Sequence, residues 1–298
     1  MLVSLLKRNI SIIRQRMKLK LGRHSYHFPH RTLIMGILNV TPDSFSDGGQ
    51  YCDVESACLR AAQMVEEGAD WIDVGGESTR PGADEISEVE EARRVFPVIE
   101  AICELFPNLP ISIDTRKPGV AQGALARGAS LVNDVEANRK DPAMWRLVAD
   151  TGAGYVVMHM KGVPQNMQSG PIYSSQGVTL DVSDFFDERM TQLQSCGVSP
   201  DQVILDVGIG FGKTLEHNVE LMSNLNVFSH RERPLLIGAS RKSFLGHILN
   251  APLSARLSGS LACAAWAVMA GSHILRVHDV RETTHVVRLI ETFQSKNI

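Results

Sequence analysis

The chain has 298 residues, 44% of them hydrophobic and 21% charged, with a formal net charge of −3. That is apolar material for one large core needing no staples, and the slight acidity argues against nucleic acid as a bulk partner. The five cysteines form no C-x-x-C pair, so reduced thiols and a cytoplasmic setting are expected, and no apolar run reaches the roughly 20 residues of a membrane span.

Residues 1–30 differ in kind from the rest. They carry Lys7, Arg8, Arg14, Arg16, Lys18, Lys20 and Arg23 and no acid. A transit peptide or a membrane-surface helix has this composition. No cleavage pattern follows, however, and Met17 offers a second start. The reading adopted is a basic N-terminal extension, followed by one domain over residues 31–298.

The domain opens on LIMGILNVTPDSFSDGG, residues 33–49. A short apolar run bounded by turn residues reads as a strand buried on both faces, and Pro42 stops it near Val40. A helix is predicted over residues 55–68, with Gly68 as its stop. The run 70–74 is the second strand and leads into a glycine-rich loop, residues 75–82. Glu88–Leu105 reads as a helix, and 111–113 as the third strand. Pro118 then opens a helix at its first turn. The fourth strand, 131–132, ends in Asn133-Asp134, and Asp141 is placed to cap the next helix. The fifth, 155–158, precedes a long structureless stretch, 161–179, and a helix over 184–196. The sixth, 203–205, the seventh, 235–237, and the eighth, 273–277, complete the series, with helices over 258–270 and 280–293. Eight buried strands alternating with helices in one domain's length predict a closed (β/α)8 barrel rather than an open sheet.

Nearly every strand ends on a residue able to bind or react: Asn39, Asp73, Asp114, Asn133, His159, Asp206, Ser240-Arg241, His278. In such barrels these ends gather on one face. An unpaired carboxylate there would cost several kcal/mol or take up a proton. Capping or pairing with arginine is the plain alternative for any one of Asp73, Asp114 and Asp206, but a poor account of all three together. Arg80, Arg241, Lys242, Arg276 and His278 also fall at strand ends and suggest an anionic substrate group. Residues 208–214 are not a phosphate loop, because Val207 stands where the first glycine belongs. They are read instead as a turn giving close backbone approach to a flat ligand. No metal-ligand spacing suits a dedicated zinc site. The residues alone therefore describe an enzyme mouth with one part suited to an NH-rich heterocycle and another to phosphate.

Residues 35–49, 75–82, 113–115, 133–134, 210–214, 240–244 and 276–279 together resemble the dihydropteroate synthase family, in that family's order. The resemblance implies a (β/α)8 barrel that condenses 6-hydroxymethyl-7,8-dihydropterin diphosphate with 4-aminobenzoate, releasing pyrophosphate. It implies that Asp114, Asn133, Asp206 and Lys242 hold the pterin, with Met158 and Gly238 also substrate-binding. Asn39 would reach the diphosphate through Mg²⁺, and Arg276 and His278 would clamp it. Thr79, Arg80, Pro81, Phe211 and Ser243 would border the aminobenzoate. Asp114, Lys242, Arg276 and His278 would carry the catalysis. A homodimer formed through late helices such as 258–270 is also implied. Val207 and Ile209 depart from the family's Pro and its aromatic or Met, and Glu136-Ala137-Asn138 from its small residues. These departures bear on the shape near Phe211. A pterin-dependent methyltransferase domain would share the acids but has no need of Ser240-Arg241-Lys242. A non-catalytic pterin-binding module would lack the cations Arg276 and His278.

Overall fold

The computed structural model describes residues 16–41, 50–78, 85–137, 141–162, 167 and 170–295. Eight parallel strands close into a barrel: β3 (Leu33–Asn39), β4 (Trp71–Gly75), β5 (Ile111–Asp114), β6 (Leu131–Asp134), β7 (Gly154–Met158), β8 (Val203–Asp206), β9 (Leu235–Ile237) and β10 (Ile274–Val277). β10 pairs with both β9 and β3, which closes the ring. All eight predicted strands form, and the barrel is the architecture expected.

Period-two alternation sorts each strand's side chains. One set packs outward on the helices with the main core. The other points into the barrel, where Leu33, Met35, Trp71, Leu131, Val156, Ile204, Leu236 and Ile274 form a separate apolar cluster. Those inward residues sit towards the amino ends of their strands.

That cluster is completed from below. Residues 17–28, grouped above with the N-terminal extension, fold as an antiparallel hairpin, β1 (Met17–Leu21) and β2 (His24–Phe28), with Leu19 opposite Tyr26. Met17, Leu19, Leu21 and Phe28 are buried against the barrel's inward cluster, while Lys20 faces solvent. Tyr26 accepts the indole N–H of Trp71 at 2.8 Å. A Cβ on Gly154 would stand 2.2 Å from a methyl of Leu21, so only glycine lets β7 start beneath the hairpin. Full burial of two leucines is worth roughly 1.5–3 kcal/mol each, so the hairpin is a stopper at the amino end of the barrel.

Between the strands run α1 (Gln50–Glu67), α2 (Glu88–Leu105), α3 (Pro118–Ala126), α4 (Ala143–Thr151), α5 (Val178–Ser195), α6 (Leu215–Ser223), α7 (Ser243–Leu249), α8 (Leu257–Met269) and α9 (Val280–Ser295). Ser87 caps α2 by accepting from the Glu90 N–H, and Pro118 sits in the first turn of α3 as the sequence predicts. α5 starts at Val178, six residues before the predicted position. Its first turn, Val-Thr-Leu-Asp-Val-Ser, is too β-branched to read as helix. Glu220 on α6 stabilises it from outside, accepting the Thr179 N–H at 3.0 Å and hydroxyl at 2.9 Å.

Candidate active site

Two residues above the apolar plug, each inward position changes character. Trp71 is followed by Asp73, Ser112 by Asp114, Leu131 by Asn133, Val156 by Met158, Ile204 by Asp206, Leu236 by Gly238 and Ile274 by Arg276. The alternation that makes the plug therefore also makes a polar layer at the carboxyl ends of the strands. Backbone register carries the layer across four neighbouring strands, β3 to β6, with Asn39 beside Gly75, Gly75 beside Asp114 and Asp114 beside Asn133.

Arg276 organises the layer. Its Nε donates to Asp73 Oδ2 at 2.5 Å and one Nη to Asp114 Oδ2 at 2.6 Å. Asn133 Nδ2 donates to the same Asp73 oxygen at 3.0 Å. The plain alternative for these acids, pairing with arginine, thus holds for Asp73 and Asp114. It is not the whole account, because the second oxygens of both are buried with no hydrogen-bond partner among the described residues. Asp206 Oδ1 accepts from the Gly208 N–H at 2.8 Å. Asn39 Oδ1 and Asp114 Oδ2 both lie 3.7 Å from where a Cβ on Gly75 would stand, so that glycine leaves the space between them open.

Burial sets the charges. It pushes Asp114 up to about 7, against the pull of Arg276 and with the help of Asp73. It raises Asp206 too, partly offset by the Gly208 N–H. Lys242 is lowered to about 8 by burial and by Arg276. Burial also works against Arg276, but Asp73 and Asp114 outweigh it and secure the guanidinium charge. His278 falls to about 4 through burial and Arg276, so it is a neutral imidazole at pH 7 rather than the cation assumed from sequence. Ser240 Oγ accepts from the His278 backbone N–H at 3.3 Å and lies 3.0 Å from Nδ1. With the hydroxyl donating to Nδ1, the ring N–H belongs to Nε2.

Phe211 belongs to a small apolar cluster with Val135, Met158, Met160 and Met167. The Lys242 ammonium stands 4.0 Å from the Phe211 ring centre, a cation–π contact. Behind Phe211, the buried Lys213 donates to its carbonyl at 3.0 Å and to that of His159 at 3.1 Å, and lies 3.0 Å from His159 Nδ1. Two of the glycines around Phe211, Gly208 and Gly212, serve this packing. A Cβ on Gly208 would lie 2.0 Å from the His159 carbonyl oxygen, and one on Gly212 would lie 2.1 Å from that of Lys161. The close backbone approach expected from sequence is real, but its partner is the segment following β7.

The structure thus gathers Asp114, Asn133, Asp206, Lys242, Phe211 and Arg276 through contacts and charge coupling, with His278 held beside them by Ser240. Met158 and Gly238 occupy the same layer, and Ser243 is the exposed first residue of α7. Thr79, Arg80 and Pro81 lie outside the described residues. Sequence reasoning singled out Asp73 and Ser240 among the reactive strand ends but assigned neither a specific role. Their position at strand ends was the available signal.

A closed barrel with heterocycle and anion groups at its carboxyl mouth is an enzyme architecture, and the comparisons specify which. The family model described as "Pterin binding enzyme" matches residues 35–278. The dihydropteroate synthase of Escherichia coli K12 is 47% identical over 263 residues, covering 88% of this chain and 91% of that one. The Yersinia pestis dihydropteroate synthase, solved with a sulfonamide drug, superposes with a TM-score of 0.86 at 43% identity, over 94% of this chain and 100% of that one. The Xanthomonas albilineans dihydropteroate synthase with 4-aminobenzoic acid gives a TM-score of 0.86 at 38% identity, over 94% and 99%. The chain belongs to the dihydropteroate synthase family of pterin-binding enzymes.

Proposed function

We propose that this chain is a transferase that joins 6-hydroxymethyl-7,8-dihydropterin diphosphate to 4-aminobenzoate, giving 7,8-dihydropteroate and pyrophosphate for folate biosynthesis. The observation that carries the reading is the single polar layer in which Asp114, Asn133 and Asp206 share one mouth with Lys242 and Arg276. Asp206 accepts the pterin's amino group and ring N–H, a charge-assisted pair. Asn133 adds a hydrogen bond beside it, and Lys242 donates to the ring carbonyl. Met158 and Gly238 line the same hollow. Arg276 and the Nε2–H of His278 hold the diphosphate, and Phe211 and Ser243 border the aminobenzoate with Thr79, Arg80 and Pro81.

Asn39 supplies one amide oxygen next to Asp114, a donor set that suits Mg²⁺, which takes one or two protein ligands and keeps waters and phosphate oxygens for the rest. When bound it supplies charge neutralisation at the diphosphate. Among the described residues no group of His, Cys, Asp and Glu forms a metal cage. In the reaction the bond from the pterin methylene to oxygen breaks, and its electron pair leaves with pyrophosphate, whose developing charge meets Arg276 and His278. The methylene cation is stabilised by the electron-rich ring and by the Asp114 carboxylate. The aniline nitrogen then forms the new bond and gives up a proton to solvent. Its amine is neutral near pH 7, so no strong base is needed.

The enzyme works as a cytoplasmic homodimer. Cys58, Cys103, Cys196 and Cys263 are unbridged, consistent with a reducing compartment, and no described helix is long and apolar enough to cross a membrane. Ile248 and Leu249 on α7, Trp266 and Met269 on α8, and Phe293 on α9 are large exposed hydrophobics on neighbouring late helices, the kind of face a second copy covers.

The deciding assay is pyrophosphate release from the pterin diphosphate, with and without 4-aminobenzoate and Mg²⁺. Release that needs 4-aminobenzoate supports the synthase. Methyl transfer, or pterin binding with no turnover, would replace it.

A further inference from the structure

We propose that Asp73 is a positioning residue that couples the heterocycle end of the site to its anion end. The inference rests on the synthase reading above, but concerns a residue that reading leaves without a role. Asp73 is fully buried in the barrel, one turn of the pleat below Gly75. One of its oxygens, Oδ2, receives two donors from opposite parts of the site: Arg276 Nε at 2.5 Å and Asn133 Nδ2 at 3.0 Å. Oδ1 is buried and has no hydrogen-bond partner among the described residues.

Two consequences follow from that shared oxygen. Asp73 fixes orientation at both ends. With Nε on Asp73 and one Nη on Asp114, the guanidinium plane is set by two carboxylates, and its other Nη faces away from both. With its Nδ2 on Asp73, the Asn133 amide cannot turn over, so its carbonyl oxygen is directed to the other side.

The two donors also compete. They draw on the electron density of one atom, so whatever weakens one bond strengthens the other. A diphosphate arriving at Arg276 attracts the guanidinium charge and loosens its hold on Asp73. The carboxylate then grips Asn133 more firmly, and Asn133 presents a stiffer partner to the ring. By linkage, ring binding must tighten anion binding by the same factor. Asp73 touches neither substrate in this scheme. It acts through Arg276 and Asn133, which are 143 positions apart in the chain and meet on its one oxygen.

The test is titration calorimetry of the full chain with 6-hydroxymethylpterin, with and without inorganic pyrophosphate at fixed Mg²⁺. In the unmodified protein pyrophosphate should tighten ring binding about fivefold or more, the lower end of ordinary site-to-site couplings. Asp73→Asn keeps the size and one acceptor but loses the charge that holds Arg276. It should bring the ratio to within about twofold of unity and raise KM for the pterin diphosphate while leaving KM for 4-aminobenzoate in place. A residue important only for folding would lower the active fraction without splitting the two KM values. If Asp73→Asn does not fold, Asp73→Ser is judged by the same ratio. A ratio of one in the unmodified protein, or a variant that keeps the full ratio, overturns the proposal. Failure of the unmodified protein both to bind the pterin and to release pyrophosphate would overturn the synthase reading with it.

Discussion

Replacing Lys242 by Met should make the protein more stable and the enzyme much worse. The ammonium is lowered from 10.5 to about 8 by burial and by Arg276, in spite of Asp206 and Asp114. A depressed lysine penalises the folded state whenever it is charged. The penalty is absent above 10.5, grows as pH falls to 8, and is fully in force at pH 7. The drop from 10.5 to about 8, at about 1.36 kcal/mol per tenfold change in proton affinity, sets a ceiling of about 3 kcal/mol. Because Lys242 is only half-buried, about 1–2 kcal/mol is the expected gain. For a chain of this size that raises Tm by roughly 2–8 °C at pH 7, and the gain should fade between pH 8 and 10.5. Activity moves the other way. A charged donor lost from the ring carbonyl is worth about 1.5–3 kcal/mol, so kcat/KM for the pterin diphosphate should drop on the order of tenfold to hundredfold. The pH profile adds a second signature. The unmodified enzyme should show a narrow bell in kcat/KM, with an acid limb near 7 from Asp114 and an alkaline limb near 8 from Lys242. The variant should lose the alkaline limb, and its acid limb should move up, because Lys242 no longer holds Asp114 down. Melting curves and pyrophosphate-release kinetics across pH 6–10 measure all of this. A lower Tm at pH 7, or unchanged kcat/KM with the alkaline limb intact, would refute the placement of this ammonium.

Two further expectations come from packing. Gly208→Ala sets a side chain at a φ of 67° with its Cβ 2.0 Å from the His159 carbonyl oxygen. The left-handed backbone and the overlap together should cost about 2–5 kcal/mol, seen as a Tm lower by roughly 5–15 °C; a change under about 2 °C would show that the loop is not pressed against the segment following β7. Met269→Glu places a charge in the exposed apolar face of α8 and should convert the proposed dimer to monomers in sedimentation velocity with the far-UV spectrum preserved; an unmodified protein that sediments as a monomer would remove the dimer proposal, and a dimer that survives the substitution would place its interface elsewhere.

The barrel was legible because its signal is local. Eight short apolar runs, each closed by glycine, proline or a polar residue, are the mark of strands buried on both faces, and eight of them alternating with helices in one domain's length favour a closed sheet over an open one. The polar layer was legible for the same reason, since Asp114, Asn133 and Asp206 each end such a run. The hairpin was hidden by its lysines. Lys18 and Lys20 alternate with Leu19 and Leu21, and a basic composition outweighed a period-two pattern only five residues long. The start of α5 was hidden because Glu220, more than forty positions away, holds its first turn.

What the sequence by itself determined was the eight barrel strands, most of the helices between them, the family, and which residue types stand at the strand ends, because each depends on neighbours along the chain. Tertiary structure alone decided how those residues are paired and charged. Arg276 meets Asp73 and Asp114 across separations of 203 and 162 positions, contacts that exist only because the last strand closes on the first. The neutral His278, the acid near 7 and the lysine near 8 follow from burial among those partners. Proton affinity depends on surrounding dielectric and charge, which the chain creates only once it has folded.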